Sequence, residues 1–92
     1  MNHTQITITL KLFAAYQEAY KVPELQLTLC EGTKVSQLLE TIISQHPELE
    51  KWRNVTKFGI NLNFVPPETI LKDRDEVVLI PPVSGGLNKF RI

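Results

Sequence analysis

Three stretches of the chain alternate apolar and polar residues with a period of two, and one repeats with a period near 3.6. Ile6, Ile8, Leu10 and Leu12 share one face with Thr7, Thr9 and Lys11 opposite, the pattern of a strand with one side on a core. Leu25, Leu27 and Leu29 alternate with Gln26 and Thr28, and Ile60, Leu62 and Phe64 with Asn61 and Asn63, giving second and third strands. Val65-Pro66-Pro67 bends away from the third. Between the first two, Phe13 to Pro23 loses the alternation, and its Ala, Gln and Glu residues support a short helical turn closed by Pro23. Val35, Leu38, Leu39, Ile42 and Ile43 form a single apolar stripe at helical spacing, with Thr33 as the expected N-cap and Pro47 forcing an end near Gln45–His46. Glu48 to Asn54 offers a further turn around Leu49 and Trp52. Asp73-Arg74-Asp75 is a turn signal. The Glu76–Ile80 run is apolar without alternation, as a central parallel strand buried on both faces would be.

The order strand, strand, helix, strand, final central strand predicts an α+β fold. A right-handed crossover sets the last strand parallel to the first with the helix across one face. That arrangement is a β-grasp, the ubiquitin-like architecture. At 92 residues the chain is one domain with a single core. Ten basic residues balance ten acidic ones, so no excess positive charge drives binding to nucleic-acid phosphates or to anionic lipid. Cys30 is the one cysteine, and a buried, inert thiol is the expectation for it. The start of the chain lacks the charge and apolar run of a secretory signal, and no stretch approaches the roughly 18 apolar residues of a membrane span. The expected compartment is the cytoplasm.

After Ile80 the character changes. Pro81-Pro82 cannot donate to a ladder, so the strand stops there and the exit is stiff. Val83-Ser84-Gly85-Gly86 has no periodicity, and the residues from Ile80 to Gly86 reach roughly 20 Å when extended. The chain thus divides into a body, 1–80, an arm, 81–86, and an extension, 87–92. A glycine pair is most often turn punctuation. At the end of a projecting arm it also has the shape to thread a narrow tunnel, and it would present an unhindered terminal carboxylate.

Lys11-Leu-Phe-Ala14, Phe58-Gly-Ile-Asn61 and above all Asp75-Glu-Val-Val-Leu-Ile-Pro-Pro-Val-Ser-Gly-Gly86 carry a resemblance. From Ile6 to Gly86 the chain resembles the MoaD/ThiS family of ubiquitin-like sulfur carriers, which includes the small subunits of molybdopterin synthase. The resemblance implies a carrier with no catalysis of its own. An E1-like enzyme would adenylate the carboxylate of Gly86, which would become a thiocarboxylate. The arm would then enter the large synthase subunit and give its sulfur to cyclic pyranopterin monophosphate, on the way to the molybdenum cofactor. Gly86 would bear the sulfur, Gly85 would supply the slim approach, and Pro81, Pro82, Val83 and Ser84 would guide the arm. No bound cofactor and no metal are implied. Sulfur delivery to thiamin or cysteine synthesis, and a ubiquitin-like modifier or interaction domain, are the alternatives.

The sequence departs from the family twice. Arg74 stands where the family turn carries glycine, which strains the turn if that position has positive φ. Leu87-Asn-Lys-Phe-Arg-Ile92 comes after the diglycine, so Gly86 has no carboxylate while it is in a peptide bond. The extension is a precursor tail removed by a protease, a tail foreign to the natural protein, or a sign that the chain is a binding module only. Elsewhere the plainer readings suffice. His3 and His46 lack metal-ligand spacing and are expected to face solvent, and Asp73, Asp75 and Glu76 make a turn rather than a calcium loop. A carrier must dock on two enzymes, so Phe58, Ile60, Leu62, Phe64 and Leu79 are the candidate partner surface, with core packing expected for at least half of them.

Overall fold

The computed structural model describes residues 4–82. Its elements are β1 (Gln5–Leu12), α1 (Ala14–Tyr20), β2 (Glu24–Cys30), α2 (Val35–Gln45), a 3-10 helix (Pro47–Trp52), β3 (Lys57–Ile60), β4 (Asn63–Val65) and β5 (Glu76–Ile80). They form one five-stranded sheet in the order β2-β1-β5-β3-β4, with β5 parallel to β1 and every other pair antiparallel. This is the expected β-grasp. No helix among the described residues is long and apolar enough to cross a membrane.

One sheet face carries the core. Ile6, Ile8, Leu10 and Leu12 of β1 and Val77 and Leu79 of β5 are buried together with Val35, Leu38, Leu39, Ile42 and Ile43 of α2. Leu49 fills the end of the core from the 3-10 helix. The start of α2 differs from the expectation. Lys34, not Thr33, is the N-cap, and Gln37 Oε1 accepts the Lys34 N–H at 2.8 Å. Thr33 instead closes the end of β2, its hydroxyl donating to the Cys30 carbonyl. The first amides of α2 that have no partner inside the helix are taken up by the loop after β4: Val35 and Ser36 donate to the carbonyls of Thr69 and Pro67.

Four further residues stand otherwise than expected, and a fifth, Tyr16, makes a buried contact for which the sequence set no expectation. Cys30 is exposed, because it follows Leu29 on an edge strand and so points away from the core. His46 is half-buried, with its ring edge-on to Tyr20 at 4.3 Å between centroids and Nδ1 3.3 Å from Glu48. Val78 and Ile80 are only half-buried, so β5 is not covered on both faces. Tyr16 is fully buried and its hydroxyl lies 2.6 Å from Thr56 Oγ1. Since the Thr56 hydroxyl donates to the Trp52 carbonyl, Tyr16 must be the donor in that pair. Burial pushes the Tyr16 phenol above its ordinary pKa.

The third predicted strand is two strands. Asn61 and Leu62 both have positive φ, 50° and 75°, and they turn β3 back into β4 as a two-residue hairpin loop of the twist-matched kind. Pairing runs Ile60 to Asn63, Gly59 to Phe64 and Phe58 to Val65. Arg74 is also left-handed, at φ 73°, so it occupies the glycine-type position with a Cβ.

Two measurements check these local readings. Arg74 is 89% exposed in its side chain. Removing its Cβ relieves about 1–2 kcal/mol of left-handed strain against about 0.5–1 kcal/mol of added chain entropy. Arg74→Gly is therefore expected to raise stability in urea unfolding by about 0.5–1 kcal/mol, while Arg74→Ala leaves it nearly unchanged. Thr56→Val strands the buried Tyr16 hydroxyl and is expected to cost about 1–3 kcal/mol, more than Tyr16→Phe, which leaves Thr56 its bond to Trp52.

Candidate functional site

The position of β5 is set by the turn that precedes it. The Asp75 carboxylate is nearly buried and accepts the Lys72 N–H at 2.8 Å and the Asn61 side-chain amide at 2.9 Å. Asn61 answers with its own oxygen, which accepts the Glu76 N–H at 2.9 Å, and its backbone N–H donates to the Glu76 carbonyl. On the other side Asp73 Oδ1 accepts the Thr7 N–H, and the Arg74 N–H donates to the Thr7 carbonyl, both at 2.7 Å. The acidic turn is thus a bracket that seats β5 between β1 and β3, and its carboxylates are engaged by backbone and amide donors.

From that slot the chain leaves the body in one direction. Pro81 is buried and Pro82 exposed, so the arm's root is gripped and its next residue is free. Val83, Ser84, Gly85 and Gly86 lie outside the described residues, as do His3 and the extension 87–92.

Among the described residues no element covers the outer sheet face. One row across it reads Glu24, Lys11, Val78, Gly59 and Phe64 by register. Lys11 bridges Glu24 at 3.0 Å and Glu76 at 3.3 Å, and those carboxylates, Glu24 first, hold its ammonium above the ordinary lysine pKa. The row is therefore polar on the β2 side and apolar on the β4 side. Phe13, still extended at the end of β1, follows the Leu12–Leu79 pair and falls on this face beside Ile80. It is 51% exposed, Phe64 77% and Leu62 93%.

The expected partner surface is corrected accordingly. Phe58, Ile60 and Leu79 are 7%, 8% and 0% exposed, because they stand on the core side of β3 and β5. Only Leu62 and Phe64 of the five are presented to solvent. Leu62 stands at the hairpin turn, level with the start of β5, whereas Phe13, Val78 and Ile80, not singled out from the sequence, join Phe64 in an apolar patch toward the exit of β5. Their signal is parity: they are apolar at positions of β1 and β5 out of phase with the core.

The ThiS family model matches residues 10–86, ending at the second glycine. A molybdopterin synthase sulfur carrier subunit of Chlamydomonas reinhardtii is 40% identical over 76 residues, covering 80% of this chain and 92% of that one. Among solved structures, a putative molybdopterin converting factor subunit 1 from Pyrococcus furiosus superposes with a TM-score of 0.73 at 27% identity, over 85% of this chain and 99% of that one. Small archaeal modifier protein 1 from Methanosarcina acetivorans gives 0.69 at 30% identity, over 90% and 99%.

The two sides of the sheet are separable by mutation. Phe58→Ala is expected to lower stability by about 3–4 kcal/mol, and Phe64→Ser to change it by less than about 0.5 kcal/mol, both read by urea unfolding.

Proposed function

Because the chain belongs to the ThiS family, we propose that it is the sulfur-carrier subunit of a molybdopterin synthase, with Gly86 as the position that bears the sulfur. What supports this reading is a central strand bracketed on both sides, followed in the sequence by Pro-Pro-Val-Ser-Gly-Gly and flanked by an apolar patch that the described residues leave exposed. Gly86 has a carboxylate only after water has cleaved the Gly86–Leu87 bond. On an E1-like enzyme that carboxylate attacks the α-phosphorus of ATP, releasing pyrophosphate. A sulfur nucleophile then displaces AMP from the unhindered acyl carbon and leaves a thiocarboxylate. In the large synthase subunit the thiocarboxylate sulfur bonds to carbon of cyclic pyranopterin monophosphate, water cleaves the acyl–sulfur bond, and Gly86 returns as a carboxylate carrying the water's oxygen. Adenylate and thiocarboxylate are transient states of the chain rather than bound cofactors, and the cytoplasm is the compartment that belongs to this reading.

Docking on both enzymes uses Phe13, Phe64, Val78 and Ile80, the apolar residues nearest the arm. Burying one phenylalanine fully is worth about 1.5–3 kcal/mol, so a few such contacts suffice for a chain with no net charge to steer it. The likeness to small archaeal modifier protein 1 favours a second reading, in which Gly86 is joined to lysines of other proteins.

Mass spectrometry separates the readings. The protein is incubated with an E1-like enzyme, ATP, a sulfur donor and cell extract as the source of peptidase. The expected product ends at Gly86 with one oxygen replaced by sulfur. Lysine-linked conjugates through Gly86 in its place would support the modifier. Gly86→Val is expected to abolish sulfur transfer without altering the fold, and undiminished cofactor synthesis by that variant would sink the proposal.

A further inference from the structure

β2 is one edge of the sheet, and its register with β1 fixes which backbone groups are used. The Glu31 N–H donates to the Thr4 carbonyl and the Leu12 N–H to the Pro23 carbonyl, both at 2.9 Å. In an antiparallel ladder bonded pairs recur at every second residue, so between these two they are Ile6–Leu29, Ile8–Leu27 and Leu10–Leu25. Glu24, Gln26, Thr28 and Cys30 therefore turn their N–H and carbonyl groups outward. The Cys30 carbonyl is taken by the Thr33 N–H and hydroxyl. The outward groups of Gln26 and Thr28 have no hydrogen-bond partner among the described residues.

Sheet edges are normally blunted by shortness, proline, lysine or a bulge. β4, the opposite edge, follows that rule, with three residues and Pro66-Pro67 directly behind them. β2 does not. It runs seven residues, Glu-Leu-Gln-Leu-Thr-Leu-Cys, in unbroken register with β1. Its one charge, Glu24, stands at the end of the strand and is paired with Lys11. Leu25, Leu27 and Leu29 are half-buried, so an apolar stripe on the core side runs beside the free backbone groups.

This edge is complementary to itself. Laid antiparallel on a second copy with a two-fold axis at Leu27, it sets Leu27 against Leu27 and Leu25 against Leu29 on the core side. On the outer side Gln26 meets Thr28, and Glu24 meets the uncharged Cys30. The directly bonded pairs are then Gln26–Thr28 and Glu24–Cys30, the residues whose backbone groups face outward. An axis at Thr28 would oppose Leu25 with Glu31, and an axis at Gln26 would oppose Leu29 with Pro23, outside the strand. We propose that β2 is the surface on which two copies of the chain associate, joining their sheets edge to edge. One seven-residue strand pair is small beside the about 1,200–2,000 Å² of a standard interface, so the association is weak and set by concentration. The two-fold axis makes the two β5 strands antiparallel, about 24 Å apart across five strand spacings, so their exits lie at opposite ends of the joined sheet. The β4 edge and the apolar patch beside β5 stay open, and the inference stands independently of the sulfur-carrier reading.

The test is sedimentation equilibrium and amide NMR from about 10 μM to about 1 mM, with reductant to keep Cys30 a thiol. The average mass is expected to rise from 10.5 kDa toward twice that value, with shifts that grow with concentration at Gln26 and Thr28. Amide exchange at those two residues is expected to slow about fivefold at the top of the range. Thr28→Pro removes an outward N–H where an edge strand accepts proline, and is expected to hold the chain monomeric. Phe64→Ser, on the other edge, should associate like the parent. In a Cys30→Ser background, Leu27→Cys stands on the axis at a non-bonded pair, with Cα atoms about 4.5 Å apart and within disulfide reach. Oxidised glutathione is expected to link that variant into a dimer and to leave Leu25→Cys monomeric. A mass of 10.5 kDa at every concentration, or undiminished association of Thr28→Pro, would overturn the proposal. Loss of association in Phe64→Ser would move the interface to β4, and failure of Leu27→Cys to cross-link would overturn the register. No activating enzyme or synthase enters the experiment, so its failure leaves the sulfur-carrier reading standing.

Discussion

Between Lys72 and Glu76 the chain must enter the middle of the sheet, with β1 on one side and β3 on the other, and it does so through the carboxylates of Asp73 and Asp75. Asp75 holds the turn closed through the Lys72 N–H and reaches β3 through Asn61, while Asp73 reaches β1 through the Thr7 N–H. A nearly buried carboxylate is tolerable only when its lone pairs are taken by donors, and at Asp75 both oxygens are used. The bracket ties together three strands that are far apart in sequence. With β5 seated, Val77 and Leu79 close the core, and the direction in which Pro81 and Pro82 leave is determined before the arm begins. An arm that must present its last residue to another protein's active site gains from this, because a strand held on both edges gives its exit a fixed origin.

The second consequence of that seating is a divided outer face. α2 and the 3-10 helix cover only one side of the sheet, so side chains in the other phase of each strand stay accessible. On a sheet that simply faced water they would be polar throughout. Here Thr7, Thr9 and Lys11 keep to that rule, and Phe13, Val78, Ile80 and Phe64 do not. The exceptions gather where β5 ends rather than scattering, which distinguishes a recognition surface from incidental apolar exposure.

Much of this was legible in the sequence, and the misreadings within the strands have one cause. Ile60, Leu62 and Phe64 keep step as one strand would, but a two-residue loop reverses parity: Ile60 and Asn63 share a face, and Phe64 moves to the other. The usual flag for such a loop is Asn-Gly, and Leu62 in place of the glycine hid it. The same parity, carried one residue past Leu29, puts Cys30 in solvent, and carried along β5 it leaves Val78 and Ile80 half-covered. The β5 run looks buried on both sides because its outward residues, Val78 and Ile80, are apolar although only half-covered. Contacts such as Tyr16 with Thr56, forty residues apart, have no local signal at all.

The placement of charge on the outer face obeys the same logic. Lys11 lies between Glu24 and Glu76, and such exposed pairs add little stability. Their effect is to fix where the charges are. All three sit on β2, β1 and the start of β5, with Lys11 the register neighbour of Val78 and its ammonium held at Glu24 and Glu76. A partner that covers Phe13, Val78, Ile80 and Phe64 therefore desolvates apolar surface without stripping water from the Lys11 cluster, whose burial would cost several kcal/mol per ion. On a chain with balanced charge, apolar surface near the arm is where contact gains most from leaving water, and the ion cluster limits how far across the sheet such a contact can extend cheaply.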